Sequence, residues 1–246
     1  MTKLCKNFGL FVFTLGLLLP ACRSSHDGVT GASAKAQDIP KLIEKGTSED
    51  GLSVSLQNKR IGVKGVRILA GTEKVKNVQS LALKSNKLGD EGVAVLAESP
   101  TFQHVDKLFL WDNQVTAAGI KSLVGSAHFN NLTQLNLMKN QLGDEGVQLL
   151  MQSEKMAQVT LLDLGANSIG DEGAFAIANS PHLGNLKRLD LFRNQITSKG
   201  IEALIRSKNL PNLEYLDLTA NEVTPEEIAF LEKSSELPKM KVLIIQ

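Results

Sequence analysis

Three aspartates spaced by 27 residues are the first candidates for chemistry in this sequence: Asp163, Asp190 and Asp217. A row of carboxylates can receive a basic side chain or a metal cation, because ionised carboxylate oxygens are strong acceptors for both. Arg188 and Arg193 are close to these acids in the sequence. The competing interpretation is therefore that the two arginines neutralise the row and that the row binds nothing.

The remaining polar residues do not form an enzyme-like set. Of the four histidines, His128 and His182 stand two 27-residue intervals apart, which corresponds to about 10 Å across the strands of a regular sheet. That separation is too large for a shared metal ion. We find no serine–histidine–aspartate set and no glycine-rich phosphate loop in the sequence. The sequence therefore predicts no catalytic residue, no metal and no cofactor, and a protein that is not an enzyme.

The composition is that of a globular protein without nucleic acid as a partner. Hydrophobic residues make up 42% of the chain, charged residues make up 22%, and the formal net charge is +1. Phosphate binding needs an excess of Lys and Arg that this balance lacks. The two cysteines, Cys5 and Cys22, both lie near the N-terminus. A disulfide framework or a thiolate zinc site in the remaining sequence is therefore excluded.

The first 22 residues have the zones of a secretory signal peptide. Lys3 and Lys6 form a basic start, and an apolar run follows over residues 8–19. A membrane-spanning helix needs about 20 apolar residues, so the run is too short to span. It ends in Leu19-Pro20-Ala21-Cys22, which resembles the lipobox of bacterial lipoproteins. The alternative is an ordinary secretory signal in which Cys22 has no role.

The resemblance to bacterial lipoproteins implies that residues 1–21 are removed and that Cys22 is acylated. Each buried CH₂ contributes about 0.8 kcal/mol, so several acyl chains would hold the protein on a membrane. The residue after the cysteine is Arg23 rather than aspartate, which implies sorting to the outer membrane of a bacterial cell envelope. Residues 23–37 are small and polar, as in a flexible tether.

An internal repeat of 27 residues organises the rest of the chain. Aligned on one asparagine per repeat, the units carry apolar residues in the same register, as in Leu132, Leu135 and Leu137. A degenerate unit with Lys59 in place of the asparagine precedes them. Each asparagine amide can hydrogen-bond backbone groups at the turn, so the stacked side chains are predicted to form a ladder. The ladder residues are Asn86, Asn113, Asn140, Asn167, Asn194 and Asn221.

Each unit predicts a short strand followed by a helix. The alternating Leu-x-Leu is typical of a strand with one buried face. Acids or a threonine then precede apolar residues spaced three apart, such as Val93 and Leu96, and these acids mark a helix N-terminus. In the last unit, Thr224-Pro225-Glu226-Glu227 has the form of a capping box.

The pattern L-x-x-L-x-L-x-x-N-x-L, followed by Gly-Asp-Glu-Gly and a helix, resembles the leucine-rich-repeat family. It is most similar to the ribonuclease-inhibitor-like subclass. The resemblance implies an α/β leucine-rich-repeat solenoid, curved as an arc, with a parallel β-sheet on the concave side and helices on the convex side.

The predicted divisions are a signal peptide at 1–21, the acylated cysteine and tether at 22–37, an N-terminal cap at 38–50 and the repeat domain at 51–246. Within that domain we place a degenerate repeat at 51–77, six regular repeats at 78–239 and a terminal strand at 240–246.

The residues that flank the buried leucines should line the concave side. They include Trp111 and Tyr215, the single tryptophan and the single tyrosine of the chain. Aromatic residues and arginine are enriched where binding energy concentrates. The alternative is that Phe109 and Trp111 only stack on their strand neighbours. The candidate partner-binding residues are Lys107, Phe109, Trp111, Met138, Asp163, Arg188, Asp190, Phe192, Arg193, Tyr215 and Asp217.

These features favour a membrane-anchored module that binds a protein partner on its concave face. One alternative is a structural protein of the cell envelope that binds cell-wall polymer or self-associates. A further alternative, by analogy with the family, is a regulator of an enzyme such as a GTPase or a nuclease. The sequence stops on a strand, and an exposed strand edge can pair with another. A homodimer through this C-terminal edge is therefore a further expectation.

Overall fold

The computed structural model describes residues 38–245. Within these residues a single sheet runs in chain order, and each strand pairs in parallel with the next. The register shifts by 27 residues at every step, as in Leu81 beside Leu108 and Leu108 beside Leu135. The strands are β1 Ser53–Ser55, β2 Ser80–Ala82, β3 Lys107–Phe109, β4 Gln134–Asn136, β5 Leu161–Asp163, β6 Arg188–Asp190, β7 Tyr215–Asp217 and β8 Val242–Ile244.

One α-helix follows each of the first seven strands, and the helices form the second layer of the solenoid. The helices are α2 Gly62–Ala70, α3 Gly89–Glu98, α4 Ala117–Gly125, α5 Gly143–Met151, α6 Asp171–Asn179, α7 Ser198–Ile205 and α8 Pro225–Leu231. The capping box predicted for the last of these is confirmed, because Thr224 and Glu227 each bond the other's backbone N–H. No helix within residues 38–245 is long and apolar enough to cross a membrane.

An additional helix, α1 Ile39–Gly46, precedes the first strand. Asp38 caps it by accepting a hydrogen bond from the backbone N–H of Lys41 at 3.2 Å. Ile43 is 1% exposed within the core. The helix therefore covers apolar surface of the first repeat that would otherwise face water.

The core lies between the sheet and the helices and continues from repeat to repeat. The central leucine of each strand from β2 to β7 is completely buried. Complete burial of a leucine stabilises a fold by about 1.5–3 kcal/mol relative to exposure. The leucines are Leu81, Leu108, Leu135, Leu162, Leu189 and Leu216.

The asparagines form a continuous ladder at the ends of the strands. Asn113 Nδ2 donates to the carbonyl oxygens of Leu83 and Leu110, both at 2.9 Å. Its Oδ1 accepts from the N–H groups of Asn86 at 2.9 Å and Leu88 at 3.4 Å, which belong to the preceding repeat. Each asparagine amide thus satisfies buried backbone groups in two successive repeats.

The aspartates of the helix N-termini form a second set of bonds between repeats, which the sequence did not reveal. Asp171 lies in the first turn of α6, yet its side chain caps α7. Oδ1 accepts from the N–H groups of Thr197 at 2.8 Å and Gly200 at 3.2 Å, and Oδ2 accepts from Thr197 Oγ1 at 2.7 Å. Asp90 makes the same three bonds to the start of α4, and Asp144 makes two to the start of α6. We call these contacts aspartate clasps.

Candidate functional site

The strands place the predicted site residues on one face of the sheet. In β2 to β5 and in β7, a buried central residue is flanked by two half-buried ones. The flanking residues therefore point away from the core, and we call the surface that they form the concave face. Neighbouring strands bring into line Lys107, Gln134, Leu161, Arg188 and Tyr215 in one column. A second column contains Phe109, Asn136, Asp163, Asp190 and Asp217.

Trp111, Met138 and Phe192 follow these strands and are half-buried. Arg193 stands apart from the others, because it is exposed in the turn after Phe192 and has a φ of 58°. The structure therefore brings together ten of the eleven predicted partner-binding residues and places the eleventh beside them at the rim.

A pocket of about 240 Å³ opens on the N-terminal half of this face. The Lys84 ammonium lies 3.4 Å from the centroid of the Trp111 ring, so the cation stacks on the indole. The indole Nε1 is buried and has no hydrogen-bond partner among the described residues. We call this the aromatic pocket, and it is lined by Gln57, Ala82, Lys84, Phe109, Trp111 and Asn136.

The C-terminal half of the concave face carries three acids instead of a pocket. We call Asp163, Asp190 and Asp217 the aspartate row. Each accepts a hydrogen bond from the backbone N–H two residues ahead, over 3.1 Å, 3.1 Å and 2.9 Å respectively. Asp163 also accepts from Asn136 Nδ2 at 2.6 Å. These bonds fix the direction of the carboxylates across the sheet.

Burial dominates the electrostatics of the aspartate row. It is the main reason why the pKa of Asp163 is raised to about 6, and the negative charge of Asp190 raises that pKa as well. Burial likewise raises the pKa of Asp190, with a further contribution from Asp217. Taking a carboxylate out of water disfavours its charged form, and a like charge nearby has the same effect.

The expected neutralisation by two arginines is not what the structure shows. The Arg188 guanidinium stacks over the Tyr215 ring at 3.8 Å. It lowers the pKa of Asp163 and Asp190, but burial outweighs it. Among the described residues, neither Arg188 nor Arg193 forms an ion pair with the row. Arg188 therefore offsets the negative charge of the row only in part.

Among the described residues, His104, His128 and His182 lie away from the concave face columns. The backbone N–H groups of His128 and His182 donate to Ser126 and Ser180 at the ends of their helices. Within the part of the chain that the structure describes, no group of three or more His, Cys, Asp or Glu side chains is placed to hold a metal ion.

Two features of the site could have been found from the sequence. Lys84 and Trp111 are 27 residues apart, so the repeat register alone places them side by side on neighbouring strands. A serine also recurs at this interval after each helix from α3 to α8, and Ser126, Ser180 and Ser207 donate to backbone carbonyls of the preceding repeat. Both sets follow from spacing, whereas the burial that raises the aspartate pKa values depends on the packed structure.

The comparisons with known proteins agree with this geometry. A family model described as Leucine Rich repeat matches residues 76–97, 129–151, 159–178 and 182–204. Internalin C2 of Listeria monocytogenes is a similar solved structure, with a TM-score of 0.50 and 22% identity over 79% of this chain and 80% of that chain. InlP of Listeria monocytogenes has a TM-score of 0.51 and 20% identity over 85% of this chain.

This chain covers 51% of InlP, or about half of its length. No curated protein sequence matched. At these identities the two likenesses bear on the fold, and the matched segments identify the repeat type. The chain contains leucine-rich repeats, and residues 38–245 fold as an α/β leucine-rich-repeat solenoid.

Proposed function

We propose that this chain is a membrane-anchored interaction module that binds a protein partner on its concave face. The observation that carries the proposal is that Trp111, Phe192 and Tyr215 are partly exposed on one face, where Trp111 lines a pocket of about 240 Å³. Large aromatic side chains contribute much contact area at low entropic cost. Eight strands at about 4.8 Å spacing give a face on the order of 35 Å long, which suits a folded protein. A helix of seven to ten residues after each of the first seven strands supports the ribonuclease-inhibitor-like subclass.

The test is affinity capture with the full chain from an extract of the source cells, read by mass spectrometry. Trp111→Ala combined with Tyr215→Ala is expected to abolish capture of the wild-type partner, because the two side chains are half-buried contacts at opposite ends of the face. Phe230→Ala is the matched control, since Phe230 is an aromatic residue 59% exposed on α8. It should leave capture unchanged.

Equal capture by the wild type and the double variant would contradict concave-face binding. Binding of both forms to isolated cell-wall polymer would support the envelope-maintenance alternative instead. Light scattering on the purified chain checks self-association, for which the outer strand β8 carries the 42%-exposed Val242. A dimer that persists in the double variant would place the contact away from the concave aromatics.

The membrane anchor in this proposal rests on the sequence of residues 1–22, which lie outside the described residues. Cys22→Ala is expected to move the protein from the membrane fraction to the soluble fraction and to abolish labelling by a clickable fatty acid, because the cysteine sulfur would carry the lipid. Cys5→Ala is the matched control, since Cys5 would be removed with the signal peptide. Density-gradient fractionation then tests the outer-membrane assignment. Labelling that survives Cys22→Ala would overturn the anchor.

A further inference from the structure

The N-terminal half of the concave face has positive charge without a partner. Lys84 and Lys107 are half-buried, and neither forms an ion pair among the described residues. Lys139, by contrast, is paired with Asp112 at 3.2 Å. Lys84 lines the aromatic pocket together with the amides of Gln57 and Asn136. The pocket thus combines an apolar floor with donors suited to a carboxylate or a carbonyl oxygen.

The C-terminal half has negative charge that the fold does not require. Each acid of the aspartate row accepts the backbone N–H two residues ahead, as Asp190 does from Phe192. Asp163 also accepts from Asn136 Nδ2 at 2.6 Å, and Asp217 accepts from Tyr215 Oη at 3.4 Å. Asn136 occupies the same column and performs the same role, accepting from the N–H of Met138 at 3.1 Å. An uncharged amide therefore satisfies this position. The backbone bond alone does not use the negative charge of the three aspartates.

Keeping that charge destabilises the free protein. The pKa of Asp163 in the folded chain, about 6, lies above its ordinary value of 3.8. A group whose folded pKa is raised favours the folded state when protonated, and this contribution is lost as the pH rises through the folded pKa. At neutral pH the ionised Asp163 therefore opposes folding. Residues that oppose folding in a regular repeat are often retained for binding.

The two charged halves lie on one face at a fixed separation. From β3 to β6 there are three strand steps, on the order of 14 Å at about 4.8 Å each. The unpaired lysines and the aspartate row therefore cannot pair with one another. Phe192 and Tyr215 beside the row provide apolar surface for the stem of a lysine or arginine.

We propose that the concave face binds a segment of a partner protein with divided charge, whose basic side chains contact Asp163, Asp190 and Asp217 and whose acidic group contacts Lys84 at the aromatic pocket. The inference rests on the concave-face binding proposed above and specifies the chemistry of the partner. Charge complementarity over both halves would fix the direction in which the segment lies along the sheet.

The test uses the full chain and three acetylated octapeptides in isothermal titration. The mixed peptide is Glu-Glu-Leu-Gly-Ser-Gly-Lys-Lys. The second peptide has lysine at all four charged positions, and the third has glutamate at all four. The mixed peptide is expected to bind at least about fivefold more tightly than either uniform peptide, because only it complements both halves. Fluorescence of Trp111, the single tryptophan, reports binding at the pocket.

Two sets of variants assign the contacts. The triple variant Asp163→Asn, Asp190→Asn, Asp217→Asn should weaken binding of the mixed peptide at least about tenfold. The control is Glu145→Gln, Glu172→Gln, Glu226→Gln, which removes the same charge from exposed positions on α5, α6 and α8. It should change binding by less than about twofold. Equal weakening by both triple variants, or equal binding of all three peptides, would overturn the inference.

The free energy of unfolding distinguishes a binding role from a structural role, because the two roles predict changes of opposite sign. Asp190→Asn keeps the acceptor for the Phe192 N–H and removes a charge that burial disfavours. The urea midpoint at pH 7.5 should therefore rise while peptide binding weakens. A lower midpoint would show that the carboxylate is structural. If the aspartate variants leave binding intact but Trp111→Ala with Tyr215→Ala still loses the captured partner, the divided-charge inference fails and concave-face binding stands.

Discussion

Replacing Asn113 with alanine is expected to lower the free energy of unfolding by about 3–5 kcal/mol, because two buried backbone N–H groups lose their hydrogen-bond partner at once. Asn113 is completely buried. Without its amide, the N–H groups of Asn86 and Leu88 lose the hydrogen bonds described above. The carbonyl oxygens of Leu83 and Leu110 keep Asn86 Nδ2 and Asn140 Nδ2 as donors. An unpaired buried group costs about 1–3 kcal/mol, and water has little room to replace the amide.

Urea unfolding of the full chain, followed by far-UV circular dichroism, measures this effect. The control is Asn131→Ala, because Asn131 is exposed and makes one bond to the carbonyl oxygen of Gln103. That variant should lose less than about 1 kcal/mol. A loss for Asn113→Ala no larger than for Asn131→Ala would show that the ladder does not hold the repeats together.

Gly200→Ala is expected to destabilise the protein by about 2 kcal/mol, although alanine is the better helix former by about 1 kcal/mol. A Cβ at this position would lie 2.5 Å from Asp171 Oδ1 and 2.6 Å from Ile196 Cγ2. The aspartate clasp would have to open, which loses a helix cap worth about 1 kcal/mol, and overpacking adds about 1–3 kcal/mol.

Gly146→Ala is the matched control at the corresponding position of α5. The residue in the clasp position of the preceding repeat is Ala117, so no carboxylate lies beside this glycine. A Cβ here would meet Leu142 Cβ at 3.0 Å and Ala117 Cα at 3.5 Å. The gain in helix propensity should offset this contact, and the same urea measurement should show little change. Equal losses for the two variants would mean that the clasp is not the cause.

The fold could be predicted from the sequence because the repeat length encodes the sheet register. Once Asn113 and Asn140 are aligned, Leu108 must lie beside Leu135, and the residues that alternate with them must share a face. The cross-repeat role of Asp171 could not be predicted in this way. An acid in a first helical turn gives the same sequence signal whether its side chain caps its own helix or the next one.

The electrostatics of the site were harder to predict than its location. Sequence separation placed Arg188 near Asp190, but the structure directs its guanidinium onto Tyr215 instead. Whether the guanidinium contacts the Tyr215 ring or the Asp190 carboxylate depends on side-chain packing between β6 and β7. Sequence spacing alone does not specify that packing. The burial that raises the pKa of Asp163 has the same origin.

The aspartate clasps also have a mechanical consequence, because they are not present at every step. They join α3 to α4, α5 to α6 and α6 to α7, and Ser198 donates to Glu227 between α7 and α8. The clasp position holds Val63 between α2 and α3 and Ala117 between α4 and α5, so these two joints of the described helical layer have no clasp. At the second of these joints the sheet remains hydrogen-bonded between β3 and β4, so the repeats should bend more easily there than at the clasped joints. Bending between β3 and β4 would alter the distance between Lys84 and the aspartate row, and with it the length of the segment that the face can bind.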